Sequence, residues 1–281
     1  MLFSKNIGTH LSIDETSLSQ GELYTFLTNK DGKGKKGTLV ASIKGTKSND
    51  IIAVLNKLPL ALRKTVKEVT LDMAKNMESA IRHCFPEANI VTDRFHVVKL
   101  VLEALQHVRI KLRWQEIDKE NEAIECCKKE RKKYRSIVHQ NGDSPKQLLA
   151  RGRYILFKKE SSWTHKQAER AKILFREYPI LKQAYKHVMK FRNIYKRTNS
   201  FQAKQEFEDW IKESKEHEIK EFNTAANSIE YHLENILNFF ENRNTNANAE
   251  SFNSKIKLFR ANLRGVTDTA FFLFRLSKLF V

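Results

Sequence analysis

VKEVTLDMAKNMESAIRHCFPEANIVTD, residues 66–93, decides the fold. Its first seven residues, VKEVTLD, are short, β-branched and apolar, the composition of a strand. MAKNMESAIRHCF reads as a helix that stops near Pro86, because a proline ring cannot continue it. ANIVTD, residues 88–93, reads as a second strand. Strand, helix and strand in so short a stretch make a βαβ unit.

Upstream the period is two. In residues 9–14, Leu11 and Ile13 alternate with Ser12 and Asp14, and ELYTFLT (22–28) and TLVASIKG (38–45) read as further strands. NKDGKGKKG, residues 29–37, is a turn rich in Gly and Lys between the second and third strands. Asn49–Lys64 carries Ile51, Ile52, Leu55 and Leu58 at helical spacing, with Ser48 or Asn49 as its cap. The order β-β-β-α-β-α-β predicts an α/β fold, a mixed sheet with helices on its faces. The first strand is expected at its centre.

Downstream the strands stop. Helical patterns run over 97–135, 145–157, 165–176, 179–195, 200–214 and 219–242, rich in Lys, Glu and Arg. Charge runs such as KKERKKYR (128–135) are expected to be solvated helix faces. A polar segment at 243–249 leads to two last helices, about 249–263 and 268–280. The expected division is 1–97 as a first part of a core, 98–245 as an all-helical insertion, and 246–281 as the closing part of the core.

The chain has 281 residues, with 51 Lys+Arg against 33 Asp+Glu, a net charge of +18. Such an excess favours a polyanionic partner, nucleic acid first. No apolar run approaches the roughly 18–20 residues of a membrane span, and no signal-peptide pattern opens the chain, so a cytoplasmic location is expected. Cys84, Cys126 and Cys127 are too few and badly spaced for a zinc knuckle or a disulfide framework. Trp114, Trp163 and Trp210 are expected to pack in cores rather than to stack on an extruded base.

Three acids stand in distinctive settings. Asp14 ends the first strand, Asp72 ends VKEVTLD, and Glu250 opens the helix NANAESFNSKIKLFR. Hard divalent cations take carboxylate oxygen, and a two-metal phosphodiester site needs a few carboxylates brought together. On that helix, Phe252, Ile256, Phe259 and Leu263 form an apolar stripe, while Glu250, Asn253, Lys257 and Arg260 fall on a polar face. Lys255, Lys257, Arg260 and Arg264 are candidate phosphate contacts. Asp93 and His96 follow the last strand, His96 as a proton shuttle or substrate contact and Asp93 as a rival ligand. Each residue alone has a plainer reading. Asp14 would be a turn residue, Asp72 and Asp93 helix caps, His96 a satisfied core histidine, and Glu250 a charge complementing a helix dipole.

Taken together, IDETSL (13–18), LDMAKNMESAIRHCFPEANIVTDRFHVVKL (71–100) and NANAESFNSKIKLFRANLRGVTDTAFFLFRL (246–276) resemble DDE transposases of the ISL3 type. RGRYILFKK (151–159) and YPILKQAYKHVMKFRNIY (178–195) resemble the helical region of that family. The resemblance implies an RNase H-like core interrupted by an all-helical insertion. It implies DNA cleavage and strand transfer with two bound Mg²⁺ ions, for which Mn²⁺ can substitute. Asp14, Asp72 and Glu250 take the three acid positions. Asp93 and His96 occupy a motif that has a Cys-x-x-His form in related groups, which ranks Asp93 below Asp72 as a ligand. DNA, as element ends and target, is the implied partner, and a homo-oligomer the implied assembly. Members commonly carry an N-terminal zinc module and helix-turn-helix, whereas only about a dozen residues precede Asp14. The expectation is that a separate polypeptide supplies end recognition or that the copy is truncated. The alternatives are an inactive DNA-binding or assembly subunit and another RNase H-like nuclease.

Overall fold

A computed structural model describes residues 1–18, 22–216, 219–243, 247–263 and 268–281, with the side chains of 247–250 excepted. It divides into two compact units, Met1–Val97 with His232–Val281, and Val98–Tyr231.

The first unit is built on five strands: β1 (His10–Ser17), β2 (Leu23–Asn29), β3 (Leu39–Lys44), β4 (Glu68–Leu71) and β5 (Asn89–Thr92). Their order across the sheet is β3-β2-β1-β4-β5. β1 pairs antiparallel with β2 and β2 with β3, while β1–β4 and β4–β5 are parallel. The fold is therefore a mixed α/β sheet with β1 in the middle. Its helices are α1 (Ser48–Leu55), α2 (Leu60–Arg63), α3 (Lys75–Cys84) and the start of α4 (Arg94–Lys129).

The second unit holds the rest of α4, then α5 (Pro145–Arg151), α6 (Arg153–Phe157), α7 (His165–Glu177), α8 (Pro179–Ile194), α9 (Ser200–Glu216) and α10 (Asn223–Tyr231). The chain returns to the first unit with α11 (Leu233–Leu237), α12 (Phe239–Asn242), α13 (Ala247–Asn262) and α14 (Thr269–Phe280).

Alternation along each strand sorts side chains between the two faces of the sheet. Leu11, Ile13, Leu27, Val69, Leu71 and Ile90 face one core with Ile51 and Leu55 of α1 and Met77, Ile81 and Cys84 of α3. On the opposite face Tyr24, Phe26 and Leu39 pack with Phe252 and Ile256 of α13 and with Phe272, Leu276 and Phe280 of α14. Phe26 meets Phe252 edge-on at 6.3 Å. Phe252, Ile256 and Phe272 are fully buried, and each contributes about 1.5–3 kcal/mol of transfer free energy to seating the last two helices. Asp14, two residues after Ser12, belongs to this second face.

Local chemistry breaks two expected helices. Residues 49–64 form α1 and α2 rather than one helix, because Pro59 provides the N-cap of α2 and bars Leu58 from helical geometry. The backbone of Lys47, not a Ser48 or Asn49 side chain, caps α1. Residues 145–157 divide at Gly152, where a Cβ would sit 2.9 Å from a Leu174 methyl, so close packing and not backbone freedom requires the glycine.

Trp210 is fully buried and stacks on His187 at 4.7 Å. Trp163 packs with Tyr185 at 5.6 Å. Trp114 corrects the expectation of core tryptophans: it is 56% exposed.

Candidate active site

The parallel pairing sets Leu11 beside Val69 and Ser12 beside Thr70. Two residues further on, the same register sets Asp14, inside β1 and paired with Phe26, next to Asp72, which lies just past the end of β4. Asp72 immediately follows β4, and its Oδ1 accepts a 2.8 Å bond from the Ala74 N–H. That Asx turn redirects the chain into α3. Asp72 is thus not the N-cap of α3; Ala74 holds that place without a side-chain bond. Asp93 follows β5, and its N–H donates to the Leu71 carbonyl at 2.8 Å.

Asp93 is buried, and its Oδ2 lies 3.1 Å from His96 Nδ1. Asp14, Asp72 and His96 remain partly open to water. The buried carboxylate therefore orients an imidazole, while the two open ones face solvent.

Burial pushes the Asp14 carboxyl up to about 6. The Glu15 N–H, donating to Oδ1 at 2.8 Å, and the His96 charge oppose the rise, and the charges of Asp72 and Asp93 add to it. His96 is raised from its ordinary value, first by its bond to Asp93 and further by the charges of Asp93, Asp14 and Asp72, against the effect of its burial. Four titratable groups thus share one field, and the carboxylates in it repel one another.

Sequence reasoning missed one contact at the candidate site. Asn253 of α13 donates from Nδ2 to Asp14 Oδ2 at 2.6 Å across 239 residues of chain. Asn253 is 8% exposed, so it leaves the solvated face on which periodicity put it. Position 250 precedes it by three residues on the same helix, and the side chain of Glu250 lies outside the described residues. That one-turn spacing was the available signal, because residues three apart share a helix face.

Behind Asp72, Glu78 of α3 accepts from Asn235 Nδ2 at 3.0 Å and lies 3.1 Å from His232 Nδ1. Arg82 donates to the same Glu78 carboxylate at 2.8 Å. This cluster ties the helix after Asp72 to the segment that leads into α13.

The four cations expected at phosphate have different settings. Lys255 donates from Nζ to the Gly34 carbonyl at 2.8 Å. Lys257 is exposed. The Arg260 guanidinium lies 5.1 Å over the Phe272 ring. Arg264 lies outside the described residues.

A family model for ISL3-type DDE transposases matches residues 11–276. The chain belongs to that family. The match spans every site residue above. A curated relative, the transposase for insertion sequence element IS1001 of Bordetella parapertussis, is 22% identical over 273 residues, which cover 96% of this chain and 61% of the relative. The chain thus spans about three-fifths of the length of that relative. Among the described residues, no helix is long and apolar enough to cross a membrane.

DDE transposases generally use divalent metal ions. Among the described residues, no three His, Cys, Asp or Glu side chains converge as a ready cation site. Asp14 and Asp72 nevertheless suit such an ion chemically. Both offer hard carboxylate oxygen, no described lysine or arginine forms an ion pair with either, and their mutual repulsion is what a bound cation relieves.

Proposed function

We propose that this chain is the catalytic part of an insertion-sequence transposase, cutting DNA strands and joining them to a target by cation-dependent phosphoryl transfer. One observation carries the reading. The Asp14 carboxyl is raised to about 6 beside Asp72 and Asp93, and Asn253 binds it to the helix of Glu250. The five-strand order, three antiparallel strands and then two parallel ones, supports an RNase H-like core made of 1–97 and 246–281, with 98–245 as its helical insertion.

In this reading Asp14, Asp72 and Glu250 hold Mg²⁺ or Mn²⁺. The bound ions supply Lewis acidity at the phosphate and favour the deprotonated nucleophile. Asp14 and Asp72 enter from adjacent parallel strands, so the sheet fixes their separation and little reorganisation is left for the reaction. Asn253 keeps Asp14 in one rotamer and leaves its remaining lone pairs available. Asp93 holds the His96 imidazole through Nδ1, which leaves Nε2 to move a proton or contact a phosphate oxygen. Lys257, Arg260 and Arg264 meet the phosphodiester backbone, with Lys255 at the edge of that contact. Partner DNA comprises element ends and target.

The test is cleavage of labelled element ends in Mg²⁺ or Mn²⁺, with any separate end-recognition polypeptide of the same element added and omitted. Asp14→Asn, Asp72→Asn and Glu250→Gln each lower cleavage by about 10²-fold or more while DNA binding persists. Wild-type cleavage by all three variants would refute the assignment.

A further inference from the structure

The turn between β2 and β3, residues 29–38, is the basic segment of the first unit for which the catalytic reading has no use. Its backbone is built with care. The Asn29 N–H donates to the Thr38 carbonyl at 2.8 Å and the Asn29 side chain accepts from the Asp31 N–H at 3.0 Å. Lys33 and Gly34 both adopt left-handed backbone, with φ of 49° and 70°. A non-glycine residue in that region is uncommon and costs free energy that the surroundings must offset.

What the turn presents is positive charge. Lys33, Lys35 and Lys36 are exposed, and among the described residues none of them is in an ion pair. Asp31 is the one carboxylate in the turn. Lys30 does not join the exposed group, because its Nζ turns inward to Glu68 at 2.7 Å. In the second unit, by contrast, Lys111, Lys119, Lys146, Lys190 and Lys215 each meet a glutamate.

The turn is also tied to the proposed catalytic helix. Lys255 of α13 donates to the Gly34 carbonyl, two residues beyond the Asn253 that binds Asp14. A Cβ at 34 would lie 2.6 Å from Lys255 Nζ, so the end of that lysine would have to move aside, and the φ of 70° strains any side chain there. Phe26 stands opposite Asp14 in the sheet, three residues before Asn29. Three strand residues span about 10 Å, so the turn begins the length of about three phosphates of one DNA strand from Asp14.

We infer that Lys33, Lys35 and Lys36 form a second phosphate-contact surface, which grips the DNA backbone away from the phosphate held at Asp14. The inference rests on the proposed function for the identity of the polyanion. The tether makes the contact positional: one helix sets both the acid end of the site and the height of the turn. A rigid Gly-rich turn suits backbone contact, which reads no base sequence.

The experiment measures duplex DNA binding by the full chain across a salt series, for wild type and for Lys33→Ala/Lys35→Ala/Lys36→Ala. Each phosphate contact contributes about 0.9 to the slope of log K against log salt, so the triple variant loses about two to three units of slope, equally on element-end and unrelated duplexes. The Lys→Arg triple variant keeps the wild-type slope. An unchanged melting temperature shows that the exposed substitutions left the fold alone. The inference is overturned if the triple alanine variant binds with the wild-type slope and affinity. Cleavage lost in Asp14→Asn but kept in that variant would then leave the proposed function standing. Gly34→Ala gives a second reading: it displaces Lys255 and lowers the slope without removing a charge, and a wild-type slope there would contradict the tether.

Discussion

Asp14 of the first unit is partly and Asp143 of the second wholly withdrawn from water, and their surroundings answer that in opposite ways. Asp143 is fully buried. Arg170 Nε lies 2.9 Å from its Oδ2, Arg151 bonds to Oδ1, and Asn141 Nδ2 donates at 2.9 Å. Burial alone would raise its pKa, but the two arginines together hold it below the ordinary carboxylate value. Asp14 has an amide and a backbone N–H for partners and His96 and two further carboxylates for neighbours, and burial first, with the carboxylate charges adding to it, raises it to about 6. A buried acid with surplus positive charge is a structural pin. One with surplus negative charge stores repulsion that a cation can relieve, and such arrangements cluster at functional sites. In a chain carrying +18 overall, leaving Asp14 without a lysine or arginine is a feature of the fold and not a shortage of cations.

The largest stability effect expected from this contrast is at the pin. Asp143→Ala leaves two arginines facing an empty site and costs about 3 kcal/mol, read from urea unfolding. Because the folded pKa is depressed, the contribution of Asp143 is present above the unfolded value near 4. It is lost as pH falls through the lower folded value. A loss below about 1 kcal/mol, or one that grows toward acid pH, would break the comparison.

A smaller effect belongs to the link between distant parts of the chain. Asn253→Ala removes the bond that α13 makes to Asp14 among the described residues and costs about 1.5 kcal/mol, the low end for a bond to a charged group, since Asp14 is partly solvated. Cleavage falls further than that loss of stability explains if, as proposed, the helix of Glu250 is positioned against Asp14 through this bond. Asn253→Gln, which retains the donor, restores part of it. Equal cleavage by wild type and Asn253→Ala would show that Asp14 does not need this partner.

The sheet was legible in the sequence because its signals are local. Leu11 and Ile13 alternate with Ser12 and Asp14, and the βαβ stretch at 66–93 carries its own stop at Pro86. Asp72 and Asp93 at the ends of β4 and β5 followed from the same reading, since parallel strands bring successive ends together, whereas Asp14 does not end its strand: β1 runs on to Ser17 and keeps pairing with β2. What stayed hidden depends on contacts far along the chain. Asn253 pairs with a residue 239 positions away, and Lys255 spends its charge on the Gly34 carbonyl. No periodicity separates a solvated polar residue from one that crosses to another element. Trp114 shows the converse: bulk and hydrophobicity favoured a core, and the helix leaves it open.

The most direct test of the central claim, that Asp14 belongs to a cation site, is the melting temperature of wild type and Asp14→Asn at neutral pH, in chelator and in Mn²⁺. The folded pKa of Asp14 lies above its unfolded value, so its ionised form costs stability above pH 6, and the cost fades as pH falls from 6 toward 4. In chelator the variant is therefore expected to be more stable by about 1–2 kcal/mol. In Mn²⁺ the wild type gains stability and the variant gains little. A variant that melts below wild type in chelator and gains as much from Mn²⁺ would contradict the account.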